Sequence, residues 1–167
     1  THVDSSAASD VYKRQEDQFL IRDLQSRYAD ICSRQAFNEL VDLIAPDAKI
    51  TLDLRGSERS FTGPVEIGDF IAESLTAFDF FQFVIRNTVI DTYESGDTAS
   101  GRLWMSEMRR VKDTGVWSTI FGVYHDQYVK TDGQWMIAGR QYHSLARLSH
   151  GLESCDVFEF PEGFDQF

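Results

Sequence analysis

Residues 122–140, GVYHDQYVKTDGQWMIAGR, read as two β-strands joined by a tight turn. The turn falls at residues 131–134, TDGQ, where an Asp-Gly pair favours a short hairpin connection. The flanking residues are largely aromatic or β-branched, as strands require, yet they also carry Asp126 and Arg140. Ionisable groups on the strands of a chain that is 42% hydrophobic indicate a lined pocket.

Strand alternation divides these side chains between two faces. One face carries Gly122, Tyr124, Asp126 and Tyr128. By the same parity Arg140 and Tyr142 share this face from the next strand. Arg140 could then pair with Asp126, either as a structural ion pair or as a group that stabilises an oxyanion while Asp126 orients it. His125 and His143 fall on the opposite face and are predicted to be structural.

The segments around this hairpin predict helices first and a sheet second. Apolar residues recur at helical spacing over about residues 17–33 and 37–44, and Pro64 begins a third helix. A strand is expected at 49–54. Four long strands then form an antiparallel meander over residues 80–93, 98–112, 116–130 and 135–145. The predicted class is α+β, with N-terminal helices packed on a strongly curved, mostly antiparallel sheet that forms a cone-shaped half-barrel.

One domain is expected over residues 16–148. Residues 1–15 are small and polar and are interpreted as a non-native or disordered leader. Residues 149–167 form an acidic, aromatic tail that either folds over the pocket or mediates association. Cys32 and Cys155 lack CxxC spacing, so they indicate neither a disulfide framework nor a zinc site. Two isolated thiols fit a reducing, cytoplasmic location.

The composition narrows the expected partners. With 16 basic and 27 acidic residues, the net charge of −11 argues against nucleic acid and against anionic membrane surfaces. Thirteen phenylalanines predict a bulky interior that can wall an apolar cavity for a hydrophobic small molecule. No phosphate-binding loop, GxSxG elbow, HExxH motif or metal-ligand spacing occurs, so no cofactor and no metal are predicted.

Several short patterns are informative through their order along residues 17–147. They are Arg27-Tyr28, Ala45-Pro46-Asp47-Ala48, Gly63, Asn87, Gly96-Asp97 with Ala99, Tyr124-x-Asp126, Gly133-x-Trp135 and Arg140. Together they resemble the SnoaL-like domain of the nuclear transport factor 2-like superfamily, the cone fold of scytalone dehydratase, steroid isomerases and polyketide cyclases. The resemblance implies a conical cavity with acid-base side chains, no cofactor, and pairing into a homodimer. It also implies that the strand face with Tyr124 and Asp126 lies inside the cone, with Arg140 and Tyr142 beside it.

The resemblance also shows where this chain departs from the superfamily's enzymes. Several of them carry a Tyr or Lys in the first helix, an Asp five residues later, and a His four residues before the strand asparagine. Tyr28 matches the first position, whereas Ser33 and Phe83 stand at the other two. The resemblance therefore implies Tyr28 as a hydrogen-bond donor to a substrate oxygen, and any base must lie elsewhere.

Glu107 is the candidate for that base. It shares a strand face with Leu103 and Met105, and a carboxylate partly buried among such side chains would have a raised pKa, which suits proton transfer near neutrality. The alternative is that the sheet twists outward and that Glu107 pairs with Arg109 or Arg110 in solvent.

The sequence thus predicts two groups of site residues. The catalytic candidates are Tyr28, Asp126, Arg140 and Glu107. The substrate-binding candidates are Asp53, Phe83, Met105, Tyr124 and Tyr142, of which Asp53 requires a one-residue offset of its strand.

Two functions remain open. The first is a cofactor-independent lyase, isomerase or cyclase that uses acid-base chemistry on a hydrophobic hydroxylated or carbonyl-containing molecule, such as a polyketide-like or steroid-like compound. The second is a non-catalytic small-molecule-binding or dimeric assembly domain, because Ser33 and Phe83 leave the usual acid-base positions empty.

Overall fold

A computed structural model describes residues 5–150 and 154–157 of the chain. The described helices are α1 (Ser5–Arg34), a 3-10 helix (Phe37–Asp42) and α2 (Gly63–Leu75). The described strands are β1 (Ile44–Asp53), β2 (Glu58–Thr62), β3 (Phe78–Thr92), β4 (Thr98–Val111), β5 (Trp117–Thr131), β6 (Gln134–His150) and β7 (Ser154–Val157). None of the described helices is long and apolar enough to cross a membrane. The cytoplasmic location stays a prediction.

One mixed sheet contains all the described strands. Six of them follow the order β2-β1-β6-β5-β4-β3, and β7 pairs with β6 beside this path. The predicted antiparallel meander of β3, β4, β5 and β6 is confirmed, whereas β1 runs parallel to β6. At the hairpin tip both Asp132 (φ 51°) and Gly133 (φ 81°) adopt positive φ, as a two-residue turn that matches the strand twist requires.

The predicted second helix is shorter than expected. It is a 3-10 helix that ends at Asp42, and β1 begins at Ile44 rather than at residue 49. The backbone N–H of Ile137 donates to the carbonyl of Leu43 (2.8 Å), so pairing with β6 already holds the chain here. Pro46 is tolerated in the strand because the β1–β6 register is interrupted between Ile44 and Lys49, where no ladder donor is needed.

The first helix begins earlier than predicted. Residues 5–15, interpreted as part of a leader, continue α1 toward its N-terminus, and residues 8–16 are exposed. Buried positions begin with Asp17, which accepts a hydrogen bond from the indole N–H of Trp135 (3.0 Å), and continue with Ile21 and Leu24. Once the packed part of a helix has formed, each further residue adds at little cost, so an unpacked extension is possible. The non-native origin of this segment stays a prediction.

The two α-helices and the concave face of the sheet enclose the core. Tyr28 and Ile31 of α1 and Ile67 of α2 are buried against strand residues such as Ile50 and Phe83. The outer face carries partly exposed apolar side chains at Phe80, Val84, Val89 and Met108. This face is where the predicted homodimer would form, and that association stays a prediction. Part of the predicted tail continues the sheet as β7, and residues 158–167 lie outside the described part of the chain.

Candidate active-site cavity

A cavity of about 240 Å³ lies between the concave sheet face and the helices. Most of its wall is apolar, with Ile, Leu and Phe side chains from β1, α2 and β3. Its polar lining includes Tyr28, Glu107, Arg109, Tyr124, Arg140 and Tyr142.

Strand register arranges these polar groups in rows. Arg140 lies opposite Asp126, and in the next row Tyr142 lies opposite Tyr124. Glu107 of β4 lies two rows beyond Tyr124. Successive rows on one face are about 7 Å apart, so the cavity has two separate polar regions. We call the cluster of Arg140, Asp126, Tyr128 and Gln25 the floor, and the pair Glu107 and Arg109 the wall.

The four side chains of the floor are joined by hydrogen bonds. Arg140 donates from Nε to Oδ1 of Asp126 (2.6 Å) and from Nη2 to Oδ2 (2.7 Å), and both side chains are buried. The Tyr128 hydroxyl donates to the same Oδ2 (2.9 Å) and accepts from Nε2 of Gln25 (2.8 Å). The Asp126 carboxylate thus accepts three hydrogen bonds, and both of its oxygens are engaged within the floor. This geometry favours the structural interpretation of the pair.

Two tyrosines fix the guanidinium of Arg140 from both sides. Its carbon lies 4.2 Å from the ring centroid of Tyr28 and 4.2 Å from that of Tyr124. Burial alone would lower the pKa of Arg140, but Asp126 and the two tyrosines raise it well above its usual value. Its Nη1 is buried and has no hydrogen-bond partner among the described residues, so one oriented donor is left over at the floor.

The tyrosines of the cavity are neutral donors. Burial raises the pKa of the Tyr28, Tyr124 and Tyr142 hydroxyls above the ordinary value, so each keeps its proton at neutral pH. Burial likewise raises the pKa of the neighbouring Cys32 thiol to about 12. Neutral hydroxyls in a dry cavity can hydrogen-bond to a substrate oxygen and stabilise charge that develops there.

A glycine makes room for Tyr142. A Cβ atom at Gly122 would lie 2.3 Å from Cε2 and 2.8 Å from the hydroxyl of Tyr142, which no real contact allows. The ring therefore lies directly over the β5 backbone, 5.1 Å from the ring of Tyr124. A glycine within a strand is a signal of such close approach, and it places the Tyr142 hydroxyl between floor and wall.

Glu107 is the unengaged acid of the cavity. Its side chain lines the cavity, and burial raises its pKa, while Arg109 and Arg147 lower it to a smaller extent. Within the described part of the chain, its carboxylate accepts no hydrogen bond and has no cation within 4 Å. The solvent-exposed alternative is wrong, because Arg110 pairs with Asp79 instead.

The remaining substrate-binding candidates divide into three cases. Phe83 lines the cavity, with its ring stacked 5.9 Å from that of Tyr124. Met105 is buried beneath the lining and does not reach the cavity. Asp53 lies outside the cavity. Alternation in β1 points Ile50, Leu52 and Leu54 inward, without the one-residue offset that an inward Asp53 required. Burial would raise the pKa of Asp53, but the backbone N–H of Arg55, which donates to its Oδ1 (2.9 Å), and the nearby Nδ1 of His143 (3.4 Å) lower it.

The two positions of the missing dyad meet in space. The backbone N–H of Phe83 donates to the hydroxyl of Ser33 (3.0 Å). A phenylalanine has no group that transfers a proton, and the serine hydroxyl is bound to the backbone. These two residues therefore do not form an acid-base pair, and their contact holds α1 against β3.

Some polar lining residues were not predicted from the sequence. Arg109, Arg147 and Cys32 all line the cavity. For Arg109 a signal exists, since it follows Glu107 by two residues on the same strand face. Among the described residues no group of three or more His, Cys, Asp or Glu is placed to hold a metal ion.

Comparisons with known proteins agree with this fold. No curated protein matches the sequence significantly. Three similar crystal structures are a proposed scytalone dehydratase from Novosphingobium aromaticivorans (18% identity, 91% of this chain and 99% of that chain, TM-score 0.75), the hexachlorocyclohexane dehydrochlorinase LinA-type3 from Novosphingobium barchaimii (18%, 90% and 99%, 0.74), and a proposed aromatic ring hydroxylase from N. aromaticivorans (24%, 86% and 94%, 0.69). At these identities they establish the cone fold alone. A family profile described as the SnoaL-like domain matches residues 13–141, and the chain therefore belongs to the SnoaL-like domain family.

Proposed function

We propose that this protein is a cofactor-independent lyase or isomerase that acts on a hydrophobic small molecule bearing a hydroxyl or carbonyl group. The observation that carries the proposal is Glu107, a carboxylate with a raised pKa and no partner within 4 Å among the described residues, exposed to an apolar cavity. Such a group is suited to accept a proton near neutral pH.

The first step would be proton abstraction. The Glu107 carboxylate takes a proton from a substrate carbon next to a carbonyl, the C–H bond breaks, and its electron pair moves toward the carbonyl oxygen. The hydroxyl of Tyr142 hydrogen-bonds to that oxygen and stabilises the developing enolate. Return of the proton from Glu107 to a different carbon gives an isomer. Loss of a β-hydroxyl, which takes the same proton and leaves as water, gives an elimination product.

The floor supports this chemistry without moving a proton. Its ion pair and the rings of Tyr28 and Tyr124 fix Arg140, whose free Nη1 offers an N–H to a second substrate oxygen. In this mechanism Asp126 positions Arg140 and is not itself a base. The names of two structural neighbours, a dehydratase and a dehydrochlorinase, denote eliminations and are consistent with the lyase class.

The decisive experiment compares two glutamates. Hydroxylated and enone-type polycyclic compounds are screened by absorbance for turnover with wild type, with Glu107→Gln, and with Glu58→Gln, an exposed control in β2. We expect Glu107→Gln to lower kcat by about 100-fold or more, because general base catalysis contributes roughly 10² to 10⁴. The control should retain wild-type turnover. Unchanged turnover in Glu107→Gln would show that the base lies elsewhere.

A second candidate, a non-catalytic binding domain, is favoured by the hydrogen bond between Ser33 and Phe83, which occupies the family's acid-base positions. It predicts that screened compounds bind with no turnover by the wild type. It also predicts that Glu107→Gln alters affinity alone.

A further inference from the structure

Arg109 is the least satisfied cation of the cavity. Its Nε donates to the Ser118 hydroxyl (3.2 Å), and its guanidinium carbon lies 4.9 Å from the ring centroid of Phe78. These two contacts fix the plane of the group. No acid lies within 4 Å of it among the described residues, and no hydrogen bond involving its two terminal nitrogens occurs there.

The position of this cation in the cavity is unusual for a residue without a counterion. Arg109 lines the cavity and is half-buried, and burial lowers its pKa although the nearby Glu107 opposes this. A desolvated charge is costly unless it is paired. Glu107, two residues away on the same strand face, does not pair with it, so the counterion has to come from elsewhere.

Arg86 offers a built-in comparison. Its Nε donates to the Ser106 hydroxyl (3.1 Å) and its guanidinium lies 5.2 Å from the ring centroid of Phe121, which repeats the arrangement of Arg109. Arg86, however, is exposed and does not line the cavity. The same pair of contacts thus holds Arg86 exposed to solvent and Arg109 half-buried in the lining of the cavity.

We propose that Arg109 binds a carboxylate on the substrate, so that the natural substrate is an apolar organic acid rather than a neutral polycycle. A planar guanidinium whose Nε and face are already occupied presents its terminal N–H groups as a fork that matches the two oxygens of a carboxylate. The apolar skeleton then lies along the Phe and Ile lining, with its reacting carbon toward Glu107. This inference rests on the proposed function in one respect, that the ligand occupies the same cavity. Binding of the ligand can be measured without turnover, so the two proposals are tested separately.

The test compares a charged probe with its neutral isostere. The affinities of 2-naphthoate and 2-naphthamide are measured by calorimetry at pH 7.5 for wild type, Arg109→Met and Arg86→Met. We expect wild type and Arg86→Met to prefer the carboxylate by about tenfold or more. Arg109→Met should lose this preference while it still binds the amide, and Arg109→Lys should retain only part of it, because it keeps the charge but not the fork.

Each outcome is informative. Equal affinity of wild type for the two probes, no binding of naphthoate at millimolar concentration, or a preference that persists in Arg109→Met would overturn the proposal. Equal loss of preference in Arg86→Met would show a general charge effect and would also overturn it. Binding of the amide by Arg109→Met checks that the variant is folded. Turnover that depends on Glu107 without any carboxylate preference would leave the proposed function intact and refute this inference alone.

Discussion

The floor and the wall of the cavity contain the same two chemical groups, one carboxylate and one guanidinium, in opposite arrangements. At the floor, Asp126 and Arg140 face each other across the β5–β6 hairpin and form two short hydrogen bonds. At the wall, Glu107 and Arg109 are neighbours on one strand and do not pair. Cross-strand geometry permits a bidentate contact, whereas two side chains in line along a strand stay apart.

This difference indicates a structural role for the floor and a binding or catalytic role for the wall. A buried ion pair joined by two short hydrogen bonds resists any change of charge, so the floor acts as a rigid support. An unpaired acid and an unpaired cation leave their interactions available to a ligand. The contrast yields predictions in which floor variants affect stability and wall variants affect binding and catalysis.

The largest effect is expected from Asp126→Ala. It leaves Arg140 charged and buried without its counterion, which should lower the free energy of unfolding by about 3–5 kcal/mol, measured by urea denaturation. The double variant Asp126→Ala/Arg140→Met removes both charges and should recover part of this loss. A loss below about 1 kcal/mol in Asp126→Ala would show that the floor is not a rigid support.

The boundary between floor and wall is tested by Gly122→Ala. The added methyl group would overlap the ring of Tyr142 and should lower the free energy of unfolding by about 1–3 kcal/mol, with weaker binding of cavity ligands. Gly139→Ala is the matched control, since the nearest atom to its Cβ is 3.7 Å away. If both variants unfold at the same urea concentration, Tyr142 does not depend on Gly122 for its position.

The contribution of the tyrosine rings to the floor is tested at Tyr28. Tyr28→Leu removes the ring that stacks on Arg140 and should lose about 0.5–2 kcal/mol more stability than Tyr28→Phe, which keeps it. Thermal denaturation followed by circular dichroism measures the difference. Equal stability of the two variants would mean that the stacking contributes nothing measurable.

The smallest effect is expected at the wall, and its sign is opposite to that at the floor. Because the pKa of Glu107 is raised in the folded state, the unfolded chain loses this proton first as the pH increases, which lowers the free energy of unfolding above the ordinary glutamate pKa of about 4.3. Glu107→Gln should therefore match wild type near pH 4 and be more stable at pH 8, by up to about 1 kcal/mol. A variant that is less stable than wild type at pH 8 would contradict a free Glu107 carboxylate.

Parity along the sequence predicted the facing pair Asp126 and Arg140, but the turn alone does not produce it. In the register that the turn sets, where Thr131 pairs with Gln134, Asp126 would lie opposite Gly139, and the register shift between Gln127 and Tyr128 brings Arg140 opposite Asp126 instead. The inward position of Glu107 followed from the same alternation in β4. Each of these predictions depends on residues that lie close together in the chain.

Other features depend on contacts between distant segments and could not be predicted. The early start of β1 depends on its pairing with β6, and the residues of β1 alone do not indicate it. The orientation of Arg109 depends on Phe78 and Ser118 from two other strands. Contacts between distant segments produce no periodic pattern of apolar residues in the sequence.

The parallel pairing of β1 with β6 also has a consequence for how the protein folds. Asp53 and His143, which face each other across this pair, are 90 residues apart in the chain. Closing so long a loop costs entropy before any contact compensates for it, which slows folding. During synthesis, the apolar walls contributed by β1, α2 and β3 are made well before β6 supplies Arg140 and Tyr142. The cavity therefore cannot be completed before β6 is made, and until then part of its apolar lining is uncovered.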